Sequence, residues 1–173
     1  ATPGEITSPA PTPNQHRDKI LTELLALEQR DAVDRKQVDH QDNIDFPLAG
    51  LKVLDLCIIL AGPTCGRSLA ELGADVIKID DPSRGGVLYH HDINRGKRSI
   101  LIDLKTPGGL DVFWQLVDDT DVIVQNYRSG VVEQLGIDYE SIKARKPNVI
   151  YVSLNAFGDQ GPWEYQPGYE EVV

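Results

Sequence analysis

The densest basic cluster in this sequence is Asn94-Arg95-Gly96-Lys97-Arg98-Ser99, in a chain of 27 acidic and 17 basic residues with a net charge of −10. Positive charge gathered against the global sign suits a phosphate, which cationic donors hold through charge-assisted hydrogen bonds. A solvated loop ahead of a strand is the plain alternative. Lys78 and Lys105 close predicted strands and can join such a clamp, or stand as single exposed lysines. Tyr169 and Glu170 offer a phenol and a carboxylate near the end of the chain, although adjacent acids of this kind are mostly surface charge. Other chemistries are poorly served. His16, His40, His90 and His91 lack the H-E-x-x-H and H-x-x-E-H spacings, and Cys57 and Cys65 form no C-x-x-C, so no metal site is expected. A Cys57–Cys65 disulfide is possible on paper, while apolar surroundings favour two reduced, buried thiols. The G-x-S-x-G elbow and the P-loop are missing, and only Gly62 and Gly66 remain of a G-x-G-x-x-G fingerprint, which argues against NAD or FAD. The acidic balance argues against nucleic acid as a partner. No apolar run approaches the ~18 residues that span a bilayer, and no secretory pattern opens the sequence, so no membrane partner and a cytoplasmic location are expected.

A phosphate clamp needs elements that carry its donors to one edge of the molecule. Lys52 to Leu60 is an apolar run of the kind buried on both faces of a parallel sheet, though Asp55 interrupts it. Gly62 and Pro63 break the run, Thr64 is a candidate cap, and a helix is predicted from Cys65 to Leu72, with a helix N-terminus there able to take an anion. Strands are predicted over Ala74 to Ile79, Arg98 to Leu104, Val122 to Asn126 and Val149 to Leu154. Helices are predicted over Gly109 to Val117, Gly130 to Leu135 and Tyr139 to Ala144. Alternation at these lengths predicts an α/β fold with an open, doubly wound parallel sheet. Ligands of such sheets lie beyond the carboxyl ends of the strands. The segments placed there are Ala61-Gly62-Pro63, Asp80 to Gly86, Asn126-Tyr127-Arg128 and Asn155 to Gly161. Ahead of this unit, Ala1 to Asn14 hold four prolines and read as an extended lead-in. Ile20, Leu21, Leu24, Leu25 and Leu27 then recur at helical spacing, predicting an amphipathic helix from Gln15 to about Arg35. Val38 to Phe46 reads as a linker. By pattern alone the helix is a surface appendage or an oligomer contact.

Taken in order, the segments resemble one family. Pro47 to Leu56, Leu60-Ala61-Gly62-Pro63, Leu72 to Ile79, Asn94 to Ser99, Asp103 to Gly109, Asp121 to Tyr127, Leu135-Gly136-Ile137, Pro147 to Ser153 and Phe157 to Pro162 are similar to the opening of the class III (CaiB/BaiF-type) CoA-transferases. That family also holds the α-methylacyl-CoA racemases. The resemblance covers residues 47–173 and implies a Rossmann-like CoA-binding domain. It implies that Ile58, Ile59 and Ala61 line the adenine site, that Ile102 and Lys105 flank the nucleotide, and that Asn126 and Tyr127 approach the pantetheine arm. Two positions depart from the family, which usually has arginine where this chain has Asp81 and Gln134. Lys78 or Arg84 is the expected substitute, beside Lys97 and Arg98. Tyr169 and Glu170 fall at the family's active-site Gly-Tyr/His-Asp/Glu position, and Tyr169 in place of the racemase histidine favours the transferase branch.

The resemblance further implies that coenzyme A moves between an acyl-CoA and a carboxylic acid through aspartyl-acyl and aspartyl-CoA intermediates. The aspartate is expected beyond Val173, so no catalytic residue is assigned within this chain, and the piece by itself is expected to be inactive. A non-catalytic CoA-binding or assembly module and an acyl-CoA racemase are the alternatives. Ala10 to Leu25 resembles the closing segment of the same family. Residues 1–46 are therefore expected to end one transferase unit and residues 47–173 to begin the next. Tandem enzymes that join CoA transfer to dimethylsulfoniopropionate with its cleavage have this layout. An interlocked dimer or tandem pseudo-dimer with the rest of the transferase chain is the expected assembly.

Overall fold

A computed structural model of the chain describes residues 6–28, 46–84, 90–158 and 160–168. Tyr169, Glu170 and the linker up to residue 45 lie outside the described residues, as does the predicted helix beyond Glu28. Five parallel strands form one sheet: β1 (Lys52–Asp55), β2 (Asp75–Asp80), β3 (Arg98–Leu101), β4 (Val122–Gln125) and β5 (Ile150–Ser153), in the order β3-β2-β1-β4-β5. Val53 lies opposite Val76 on one side and Val122 on the other, so β1 is central. The order reverses at β1, as a doubly wound sheet requires.

Side chains alternate along each strand, so each face of the sheet builds its own core. Val53, Cys57, Val76, Val122 and Val124 pack with Ala70 of α2 (Ala61–Glu71). Leu54, Leu56, Ile79, Ile100 and Ile123 pack on the other face against four further helices. These include α1 (Arg17–Glu28), through Ile20 and Leu24, and α4 (Pro107–Asp118), through Phe113, Leu116 and Val117. The third is α6 (Tyr139–Arg145), through Ile142, and α5 (Val131–Leu135) adds Val132. A four-residue helix not predicted from the sequence, α3 (His90–Ile93), precedes β3. Thr106 caps α4 by accepting the Gly109 N–H, with Pro107 at the first turn, where no partner for its nitrogen is needed.

The predicted strand from Arg98 ends at Leu101 rather than Leu104, and the β1–α2 turn differs from the sequence reading at both its boundaries. β1 ends at Asp55, and α2 begins at Ala61, with Gly62 and Pro63 in its first turn. Side chains draw the chain out of the ladder. Asp55 Oδ1 accepts the Cys57 N–H at 2.8 Å, and Asn126 pairs with both backbone groups of Ile58. Thr64 therefore lies inside the helix, its hydroxyl donating to the Leu60 carbonyl, instead of capping it. The first-turn N–H groups of a helix have no intrahelical partner, so Pro63 costs nothing there.

The lead-in segment is also closer to the fold than its composition suggested. Ile20 is 1% exposed and belongs to the main core. Residues 8–16 run along the outer edge of β3, where unpaired strand groups otherwise invite association. Asn14 Oδ1 accepts the Leu101 N–H at 2.9 Å, His16 Nδ1 accepts the Ser99 N–H at 3.1 Å, and the His16 N–H donates to the Ser99 carbonyl at 3.0 Å. Asn14 takes positive φ to do so, a conformation asparagine tolerates. Both cysteines are free. No helix among the described residues is long and apolar enough to cross a membrane.

Candidate functional site

A cleft of about 430 Å³ opens at the carboxyl ends of β2, β3 and β4. Ile79, Ile102, Leu104, Leu110 and Leu135 give it apolar walls; Asp80, Asp81, Arg84, Lys105, Tyr127 and Gln134 supply its polar groups. The volume suits a nucleotide-sized ligand, and apolar walls with a few oriented polar groups are the usual composition of such sites. Of the residues expected at a CoA site, Ile102, Lys105, Arg84 and Tyr127 meet here. So do both positions that depart from the family, Asp81 and Gln134.

The charges of the cleft are organised around Asp81. Its carboxylate accepts from the Ser83 hydroxyl at 2.6 Å, the Ser83 N–H at 2.8 Å and Lys105 Nζ at 3.1 Å. Chiefly the Ser83 hydroxyl, then its N–H and Lys105, hold the Asp81 carboxyl down at about 2. Asp80 accepts from Lys78 Nζ at 2.7 Å. Burial, with some help from the Asp80 and Asp81 charges, pushes the Tyr127 hydroxyl up to about 12, so it remains a neutral donor at the cleft wall.

A second group of expected residues, Ile58, Ile59, Ala61 and Asn126, belongs to the turn between β1 and α2 and its clamp, and none of them lines the cleft. Asn126 accepts the Ile58 N–H and donates to the Ile58 carbonyl, both at 2.7 Å. Its amide is thus a clamp on the turn. Ile59 has φ 72 and is half exposed, an unfavourable backbone for a β-branched residue that the flanking bonds hold in place. Ala61 is exposed at the start of α2. Gly62 permits the close approach, since a Cβ there would lie 2.6 Å from the Cys57 Sγ.

The basic cluster does not form a single surface. Lys97 turns inward, and its ammonium donates to Asp55 Oδ2 at 2.6 Å, the Pro63 carbonyl at 2.8 Å and Asn94 Oδ1 at 2.9 Å. All three of its protons are engaged, and none is left for a phosphate. Burial pulls the Lys97 pKa down, with the Asp55 charge opposing. Arg98 starts β3, at the amino end of the strand and away from the cleft at the carboxyl ends, and binds Asp75 and Glu23. Lys78 is buried against Asp80 and the Ile79 carbonyl. The expected clamp therefore reduces to Arg84 and Lys105 at the cleft. A lone acid in an apolar strand was the legible sign of Lys97's partner, because a buried Asp55 requires a counter-charge. Among the described residues no His/Cys/Asp/Glu cluster suited to a metal ion is present.

Comparison with known proteins bears on the sequence and the fold. Residues 48–173 match the profile of CoA-transferase family III. A succinate–glutarate CoA-transferase of Agrobacterium fabrum is 38% identical over 146 residues, covering 73% of this chain and 36% of that protein. An acetyl-CoA:oxalate CoA-transferase of Acetobacter aceti is 37% identical over 139 residues, again covering 73% of this chain and 36% of its own length. The crystal structure of a CaiB/BaiF family protein from Brucella suis superposes with a TM-score of 0.69 at 40% identity, over 73% of this chain and 38% of that one. The chain thus spans little more than a third of the relatives it matches. On its fold and its matched sequence, this chain belongs to CoA-transferase family III.

Proposed function

We propose that the cleft holds the nucleotide end of coenzyme A, and that the chain is the CoA-binding part of an enzyme moving CoA between an acyl-CoA and a carboxylic acid. The observation that carries this reading is the convergence of Ile102, Arg84, Lys105 and Tyr127 on one apolar-walled cleft at the carboxyl ends of the strands. Ile102 and Leu104 suit an adenine face, and Arg84 and Lys105 suit phosphate oxygens. The neutral Tyr127 hydroxyl can donate to a ligand oxygen. The β1–α2 turn, fixed by Asn126 and Lys97, supplies a rigid rim. The transfer itself proceeds through an aspartate beyond Val173. Its carboxylate attacks the thioester carbonyl and expels CoA thiolate, which then attacks the aspartyl carbonyl of the mixed anhydride. This releases the donor acid and leaves an aspartyl-CoA thioester for the acceptor carboxylate. The packing of α1 and residues 8–16 on this domain supports reading the lead-in as the closing segment of a preceding transferase unit. A cytoplasmic, dimeric or tandem enzyme follows from that reading, with dimethylsulfoniopropionate as one candidate acceptor.

Titration of the intact protein with CoA tests the binding role, and exchange of labelled CoA between an acyl-CoA and its free acid tests the chemistry. Replacing Lys105 with Ala is expected to weaken CoA binding about tenfold. Undiminished binding by that variant, or intact protein that binds CoA without exchanging it, refutes the respective part. The second outcome would favour a non-catalytic CoA-binding module, to which Asp81 and Gln134 in the cleft lend support.

A further inference from the structure

We propose that Arg84 is the cation that holds a phosphate of CoA in the cleft, and that Asp81 is its positioning residue. The proposal rests on the reading of the cleft as a nucleotide site and deepens it. Asp81-Pro82-Ser83-Arg84 is a turn leaving the carboxyl end of β2, closed by the Arg84 N–H donating to the Asp81 carbonyl at 3.0 Å. Aspartate in the first position and proline in the second are the residues such a turn favours. The Asp81 side chain then fastens it, Oδ1 accepting the Ser83 N–H at 2.8 Å and the Ser83 hydroxyl at 2.6 Å. The turn reverses the chain, so that Arg84, though three residues past Asp81, lines the same cleft.

A carboxylate beside a phosphate site looks repulsive, and the bonds around Asp81 remove the conflict. Its Oδ2 accepts from Lys105 Nζ at 3.1 Å, so its charge is balanced within the cleft. With Oδ1 on the turn and Oδ2 on Lys105, Asp81 serves the loop and not the ligand. Arg84 is placed differently. Among the described residues its guanidinium has no ion-pair partner, while Lys105 of the same cleft has one. Its charge reaches Tyr127, beyond the end of β4. Burial raises the Tyr127 hydroxyl, to about 12, and Arg84 is the influence that opposes the rise. An unpaired guanidinium over an apolar-walled cleft offers phosphate oxygens a fork of charged donors.

The test is binding of CoA, dephospho-CoA and pantetheine, which has no phosphate, to the intact protein and its variants. Arg84→Gln is expected to weaken CoA binding about tenfold and to leave pantetheine unmoved. An equal loss for dephospho-CoA assigns the contact to the diphosphate, and no loss assigns it to the 3′-phosphate. Asp81→Asn and Asp81→Ala remove the same charge, but only the first keeps an oxygen for Ser83. Asp81→Asn is therefore expected to bind CoA about fivefold more tightly than Asp81→Ala, a gap that closes when Arg84→Gln is added to both. Equal CoA affinity in the two variants, or a gap that persists without Arg84, overturns the positioning role. An Arg84→Gln protein that binds CoA as tightly as the native one overturns the proposal outright, and leaves the nucleotide reading standing if CoA still outcompetes pantetheine. If CoA binds the native protein no better than pantetheine, the nucleotide reading of the cleft falls and the proposal falls with it.

Discussion

Asp55 and Lys97 show how much of a motif's charge can serve the fold. The pair is fully enclosed, and Lys97 also ties the Pro63 carbonyl in the first turn of α2 to Asn94 ahead of β3. From Asn94 the chain of bonds continues through His90 to the Pro11 carbonyl in the lead-in. His90 Nδ1 accepts from Asn94 and its Nε2–H donates to Pro11, which assigns the ring tautomer. Removing one member of a buried pair strands the other, typically at a cost of about 3–5 kcal/mol. Lys97→Met is therefore expected to lower stability by about that amount, read as a shift of the urea midpoint at unchanged slope. The double variant Asp55→Asn, Lys97→Met is expected to recover a good part of the loss, because no unpaired charge remains. A single variant as stable as the native protein would remove Lys97 from this structural role.

At the scale of elements, the covered edge of β3 is the feature that titrates. His16 accepts the Ser99 N–H, which requires a neutral Nδ1. Burial, then the nearby Arg98 and Lys19 charges, hold its pKa below the ordinary 6.5. The unfolded chain therefore binds a proton before the folded one does as pH falls. The contribution of His16 is complete above 6.5 and is lost as pH drops through that value toward the folded pKa. The native protein is expected to lose thermal stability between about pH 7.5 and about pH 5.5 more steeply than His16→Ala, compared by melting temperature. Equal slopes would show that His16 is not the sensor. Neither contact was legible beforehand. Proline content and helical spacing identify an extended segment followed by a helix, yet they do not say what that helix buries. The strands were legible from their runs of Val, Ile and Leu. The end of β1 was not, because Asp55 and Asn126 take over the backbone groups that a longer ladder would have used. The candidate site was half legible: Ile102 and Lys105 were expected to flank the nucleotide and Tyr127 to approach the pantetheine arm, and all three line one cleft. Lys97 and Arg98, adjacent in sequence, turn to α2 on one face of the sheet and to α1 on the other, which charge clustering alone cannot reveal.

Over the whole molecule, the two edges of the sheet differ. β5 closes one side of the sheet with Ile150 58% exposed, while β3 on the other side is sheathed by residues 8–16. The bonds that hold this sheath bridge 83 and 87 positions of sequence. Closing so long a loop is entropically costly, and it becomes favourable only once β3 exists to receive the segment. The sheath is thus the last part to assemble and the first to let go. Amide exchange should expose that hierarchy. The N–H groups of Ser99 and Leu101 are expected to swap with deuterium through a partial opening. That of Leu56, bonded to the Val124 carbonyl at the centre of the sheet, should wait for global unfolding. Identical protection at all three amides would mean that the lead-in and the sheet open as a single cooperative unit.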